Sequence, residues 1–139
     1  MFERMMVPVN RQYVDRLQDS LKIAARRAEE DNATVGYVTM TGSLAKRAAR
    51  RPEELEGKLQ AFAREPGEIH GIATGSKMMR STVVAVELDD RLVQAQGDLD
   101  ADLVVMASHI PGVADRLHLI ISNAAELAKR LPVSSFILR

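Results

Sequence analysis

Short, continuous apolar runs alternate along the chain with longer stretches in which apolar residues recur every three or four positions. Met5 to Val9 is the first such run. It is apolar throughout, as expected of a strand buried on both faces. Leu17, Leu21, Ala24 and Ala28 then fall at helical spacing, with Asp15, Arg16, Lys22, Arg26, Arg27 and Glu29 on the other faces. Asp31-Asn32 supplies polar stop residues that tolerate unusual backbone angles. Val35 to Met40, rich in β-branched and aromatic residues, predicts a second strand. Strand, helix and strand in this order read as a right-handed βαβ unit with parallel strands.

Thr41 to Arg51 reads as a connection or a short basic helix. Pro52 suits the first position of a helix, and Glu53 and Glu54 suit its opening turn. Leu55, Leu59 and Phe62 give that helix its apolar stripe, and Pro66-Gly67 is expected to end it. Glu68 to Thr74, containing His70, Ile72 and Ala73, is the expected third strand. Ser81 to Gln96 fits strand or helix by composition. The spacing of Val84, Leu88 and Leu92, with Asp89-Asp90 beside Arg91, favours a crossover helix. Leu103 to Ala107 reads as the fourth strand. Ser122 or Asn123 caps the last helix, with Glu126 in its first turn and Lys129-Arg130 at its end. Val133 to Leu138 is the final strand. The alternation predicts an α/β fold, a three-layer α/β/α sandwich in which about four helices flank a five-stranded parallel sheet.

Composition fits this picture. A chain of 139 residues suits a single domain spanning 1–139, with 46% hydrophobic and 27% charged residues. Nineteen basic and nineteen acidic residues cancel, so no overall field draws in nucleic acid or an anionic membrane. There is no cysteine, which excludes disulfides and thiolate metal sites. No apolar run approaches the roughly 20 residues of a membrane helix. The opening residues lack the basic-then-apolar pattern of a signal peptide. The expectation is a cytoplasmic, soluble protein.

The segment from Asp102 to Asn123 is the most informative. It reads as a buried strand, a loop of small and polar residues, and the mouth of a helix. In an open parallel sheet this is where ligands, phosphates especially, are usually bound. Other candidates are weaker. His70, His109 and His118 lack paired ligand spacing, so no metal is expected. Asp98-x-Asp100-x-Asp102 has Leu103 and His109 where a calcium loop needs glycine and glutamate; it reads as a solvated turn. Ser108, His109 and Asp115 supply triad residue types without a nucleophile-elbow pattern, so no catalytic residue is assigned. Lys46-Arg47 with Arg50-Arg51 has no aromatic partners and is followed by glutamates, so it reads as a solvated helix face. Met5-Met6 and Met78-Met79 read as core.

Three blocks together resemble the universal stress proteins. They are Arg4-Met-Met-Val-Pro-Val-Asn10, Ala101-Asp-Leu-Val-Val-Met-Ala-Ser-His109, and Ser122-Asn-Ala-Ala-Glu126 onward to Arg139. Ser108-His109-x-Pro111 with Ser122-Asn123-Ala124-Ala125 is similar to the branch carrying Ser-His-x-Pro and Gly-Ser-Asn-Ala-Ala motifs. The resemblance implies sheet order 3-2-1-4-5, usually a homodimer, a role in stress response, and in many members ATP held between the first and fourth strands. It places the candidate nucleotide site at Asn10, Val38, Ala107, His109, Gly112, Ser122 and Asn123.

This chain departs from the nucleotide-binding pattern. Asn10 stands where those members carry aspartate, and Ala107, Ile110 and Ile121 stand where they carry glycine. Glycines in phosphate loops let backbone N–H groups approach the phosphate and permit positive φ. A β-branched Ile121 hinders both, and Pro111 offers no donor. Ser122 and Asn123 still put polar groups at a helix mouth, Gly112 frees the loop, and His109 keeps its family position. Two readings follow. In the first, the protein is a homodimeric binding or regulatory module with a degraded nucleotide site. In the second, it is an ATP- or AMP-binding switch with at most slow hydrolysis. In the implied order Val133 to Leu138 is an edge strand, and two copies pairing there antiparallel would close it. Neither nucleic acid nor membrane is expected as a partner.

Overall fold

The computed structural model describes residues 1–9, 18–42, 52–81, 84–107 and 124–138. Along the chain these form β1 (Arg4–Pro8), α1 (Gln18–Asp31), β2 (Thr34–Gly42), α2 (Pro52–His70), β3 (Thr74–Ser81), α3 (Val84–Leu99), β4 (Leu103–Ala107), α4 (Ala124–Arg130) and β5 (Ser134–Leu138). All strand pairs are parallel, in the order β3-β2-β1-β4-β5. The α/β class and the strand order match expectation, as do the four helices among the described residues.

The apolar runs sit where double-sided burial demands them. Met5, Met6 and Val7 in β1, and Leu103 to Met106 in β4, are all buried. Strand alternation divides β2 between the two helical layers. Tyr37 meets Phe62 of α2 edge-on, ring centroids 5.4 Å apart. On the opposite face a Cβ at Gly36 would lie 3.0 Å from Leu99 of α3, so only glycine fits there without displacing that side chain. α1 packs with α2 on one face and α3 with α4 on the other. At the two ends of the order, β3 and β5 are the edges, and β5 is the less buried, with Phe136 46% exposed.

Three helices stop by the same device. Asn32, Gly71 and Asp100 take left-handed φ values of 53°, 66° and 51°. After α1, the N–H groups of Asn32 and Ala33 donate to the carbonyls of Glu29 and Ala28. After α3, Asp100 and Ala101 donate in the same way to Gly97 and Gln96. These paired bonds satisfy carbonyls that a helix end leaves orphaned. The Gln96 side chain adds a buried bond from its amide nitrogen to the Ala101 carbonyl, 2.8 Å.

This device corrects the expected third strand. Pro66-Gly67 does not end α2; the helix runs on to His70 with Pro66 inside it. Proline deprives the helix of one hydrogen bond, here to Phe62, and flanking turns carry the helix past it. The stop comes at Gly71, whose N–H donates to the Gly67 carbonyl at 2.9 Å. The strand expected over Glu68 to Thr74 therefore lies at Thr74–Ser81. Its sequence, Thr-Gly-Ser-Lys-Met-Met-Arg-Ser, has little strand character, but eight residues of it pair with β2 from Val35↔Thr74 to Gly42↔Ser81. Ladder and packing override propensity. The helix expected over Ser81 to Gln96 starts at Val84 and continues to Leu99, since Ser81 belongs to β3.

Candidate functional site

The strand order puts the change of direction at β1, with β2 on one side and β4 on the other. In such sheets a crevice opens beyond the carboxyl ends of the two central strands. Here the sequence limits how far those two strands pair. Successive residues of a strand turn their N–H groups to opposite edges, and Val9 donates to the Val38 carbonyl in β2 at 2.8 Å. The preceding position, turned towards β4, is Pro8, which has no proton to give. Among the described residues β1 pairs with β4 at Met5↔Leu103 and Met6↔Val104, whereas its register with β2 runs the full length to Pro8↔Val38.

Two of the seven candidate site residues are described. Val38 is fully buried in β2, and its carbonyl is already engaged by Val9. Ala107 ends β4 and remains in register opposite Leu138 of β5. Asn10, His109, Gly112, Ser122 and Asn123 lie outside the described residues, as do Ile110, Pro111, Ile121 and the Lys46 to Arg51 cluster. Asn10 follows Val9 in the chain, and α4 begins at Ala124, the residue after Asn123.

α4 is oriented from below by charge. Arg130 bonds Asp90 of α3 and lies 3.8 Å from Asp89. Burial pushes the Asp89 carboxyl above its usual range; Arg130 opposes this, while Asp90 and Glu126 reinforce it. Leu127 and Leu131 anchor the same helix in the core. The short helix is thereby held by its carboxyl end.

The aspartate triplet before β4 includes the solvated turn expected of it, at Asp100, and makes specific contacts besides. Asp102 accepts the backbone N–H groups of Glu3 and Arg4 at 2.8 and 3.1 Å. Asp100 pairs with Arg4 at 2.7 Å and Asp98 with Lys77 at 3.4 Å. Asp100 and Asp102 thus tie the starts of β1 and β4 together, while Asp98 joins α3 to the middle of β3. His70 pairs with Glu29 through Nδ1 at 3.1 Å. Among the described residues no group of three His, Asp or Glu side chains is arranged to hold a metal. Nor is any described helix long and apolar enough to cross a membrane.

The solved structures that this chain resembles have the same architecture. A universal stress protein from Archaeoglobus fulgidus matches at TM-score 0.70 and 16% identity, over 100% of this chain and 95% of that one. A structure of the Archaeoglobus fulgidus universal stress protein in complex with dAMP matches at 0.68 and 16%, over 99% and 98%. A universal stress protein in complex with cAMP matches at 0.67 and 18%, over 99% and 97%. At these identities the likeness speaks for the fold. Comparison with curated proteins gave no match. The model of the universal stress protein family matches residues 1–139. With its 3-2-1-4-5 sheet and its family match along the whole chain, the protein belongs to the universal stress protein family.

Proposed function

We propose that this protein is a cytoplasmic, homodimeric regulatory module of the stress response in which the nucleotide site between β1 and β4 is weakened. The observation that carries this reading is Ala107. β4 keeps its register with β5 as far as Ala107↔Leu138, so a methyl-bearing residue held in the ladder occupies a place where nucleotide-binding relatives carry glycine. Asn10 removes the carboxylate expected near base and ribose, and Ile121 adds branched carbon beside the helix mouth. Steric access to bare main chain, which a polyphosphate needs, is reduced.

Thermal unfolding with ATP and magnesium, and with AMP, tests it. A ligand at 100 times its dissociation constant adds about 2.7 kcal/mol. The expected result is no saturable rise in Tm at millimolar nucleotide; a saturable rise contradicts the proposal. The alternative, an AMP- or ATP-binding switch held through Ser122, Asn123, His109 and Gly112 with the Val38 backbone facing the adenosine, is favoured by the structural neighbours solved with dAMP and cAMP. Co-purifying nucleotide, lost on Ser122→Ala with Asn123→Ala, would establish that reading. For the dimer, we assign β5 as the pairing edge. Phe136→Asp, at a half-exposed position, is expected to give monomers by light scattering; persistence of the dimer excludes this edge.

A further inference from the structure

On the sheet face opposite α3 and α4, the helices α1 and α2 do not close completely. Between them runs a trough of about 290 Å³. α1 contributes Leu21 and Ala25 to it, and α2 contributes Phe62, Pro66 and Ile69. The lining positions are spaced by three and four on both helices, from Gln18 to Arg26 and from Phe62 to His70, so two matching stripes face each other for about 12 Å. Ile69 is 67% exposed, an isoleucine standing on the rim of an apolar channel with nothing described over it. Together with Leu21, Ala25, Phe62 and Pro66 it forms a continuous apolar surface rather than a lone exposed side chain.

Charge gives the trough a direction. Lys22 and Arg26 form the α1 rim, one turn apart on the same face. Among the described residues neither has an ion-pair partner, whereas Arg4, Arg27, Lys77, Lys129 and Arg130 all do. On the α2 rim stand Glu65, and His70 already committed to Glu29. An anion is therefore favoured against α1 and disfavoured against α2. We propose that this trough binds a small amphiphilic carboxylate, its acyl chain lying between Phe62, Pro66 and Ile69 and its head group between Lys22 and Arg26. The trough is too short for a partner helix of several turns and near the lower limit of small-ligand sites. It lies away from the β1–β4 crevice, so this assignment stands or falls separately from the nucleotide reading.

Decanoate is the probe, below the concentration at which it forms micelles, followed by amide shifts in two-dimensional NMR of the full chain. Saturable shifts confined to α1 and α2 are expected. The double variant Lys22→Glu with Arg26→Glu should weaken binding at least tenfold with unchanged Tm, because both side chains are exposed. Decanol, with the same chain and no charge, should also bind at least tenfold more weakly. Ile69→Asp should abolish binding in a folded protein. The proposal is overturned by shifts that do not saturate or that spread beyond these helices, by decanol binding as well as decanoate, or by full affinity in the charge-reversed variant. It is equally overturned if the trough proves to hold a second copy, seen as a self-association that Ile69→Asp abolishes while decanoate leaves wild type unchanged.

Discussion

The two ends of the sheet are built on different principles. Where the strands begin, polar groups are matched locally. Asp102 takes the first N–H groups of β1, Asp100 holds Arg4, the Phe2 N–H donates to Asp31, and left-handed stops at Asn32, Gly71 and Asp100 deliver the chain into β2, β3 and β4. Where the strands finish, the central ladder is cut short at Pro8, and the candidate site residues follow on from those strand ends. The first end is tied together by these bonds; the second is the usual place for a ligand in an open α/β sheet. Changes at the first end should therefore alter stability without touching binding, and changes at the second the reverse.

The largest effect expected at the first end is from Asp102→Ala. It leaves two backbone donors without their charged acceptor, a loss of about 2 kcal/mol at this partly exposed site, measured as a lower urea midpoint. Any shift of Tm with nucleotide should be the same as in wild type. An unchanged midpoint would show that water replaces the carboxylate at no cost, and the contrast between the ends would weaken.

A comparable effect should appear at high pH. Burial pushes the Tyr37 phenol up to about 12 from its ordinary 10, and its hydroxyl has no partner among the described residues. The unfolded chain thus releases this proton first as pH rises. The contribution is fully present below pH 10 and is lost between about 10 and 12, on the order of 2 kcal/mol. Tyr37→Phe should flatten that decline and cost little at neutral pH. An equal alkaline decline in both proteins would assign it to other groups.

Smaller still are the helix stops. Gly71→Ala places a Cβ at φ 66° and should lower stability by about 1 kcal/mol, whereas Asn32→Gly relaxes the same geometry and should raise it by a few tenths. The reverse signs, a gain for Gly71→Ala and a loss for Asn32→Gly, would mean that packing around these turns, rather than φ, decides. The least stability change belongs to the second end. Asn10→Asp with Ile121→Gly should leave unfolding within about 1 kcal/mol of wild type, while a saturable Tm rise with ATP appears where wild type shows none. No rise in that variant would remove branched carbon as the reason for the weakened site.

The sheet was legible because its central strands are apolar runs that only double-sided burial explains, and because Asp31-Asn32 stops α1 as its residue types suggest. Strand order came from the resemblance, not from periodicity. Pro66-Gly67 misled, since a proline inside a helix and a proline after one look alike until the next stop, Gly71, is weighed. β3 was displaced for the same reason, and its weak propensity gave no independent signal. Asp102 was hidden because a carboxylate that accepts backbone N–H groups from residues nearly a hundred positions away leaves no local pattern. Of the candidate site, Ala107 is the last residue of β4, whereas Val38 lies in the middle of β2.

The sheet's two margins have unequal consequences for assembly. At the β3 margin, Lys77 reaches across to Asp98 and keeps an ammonium group in the middle of the outermost strand, so a newcomer docking there would have to strip water from a cation. Among the described residues the β5 strand, Ser-Ser-Phe-Ile-Leu, carries no charged side chain. Under the proposed β5 pairing, growth from that edge alone terminates after one union. Light-scattering mass should accordingly level off with concentration at a finite particle instead of climbing towards fibres.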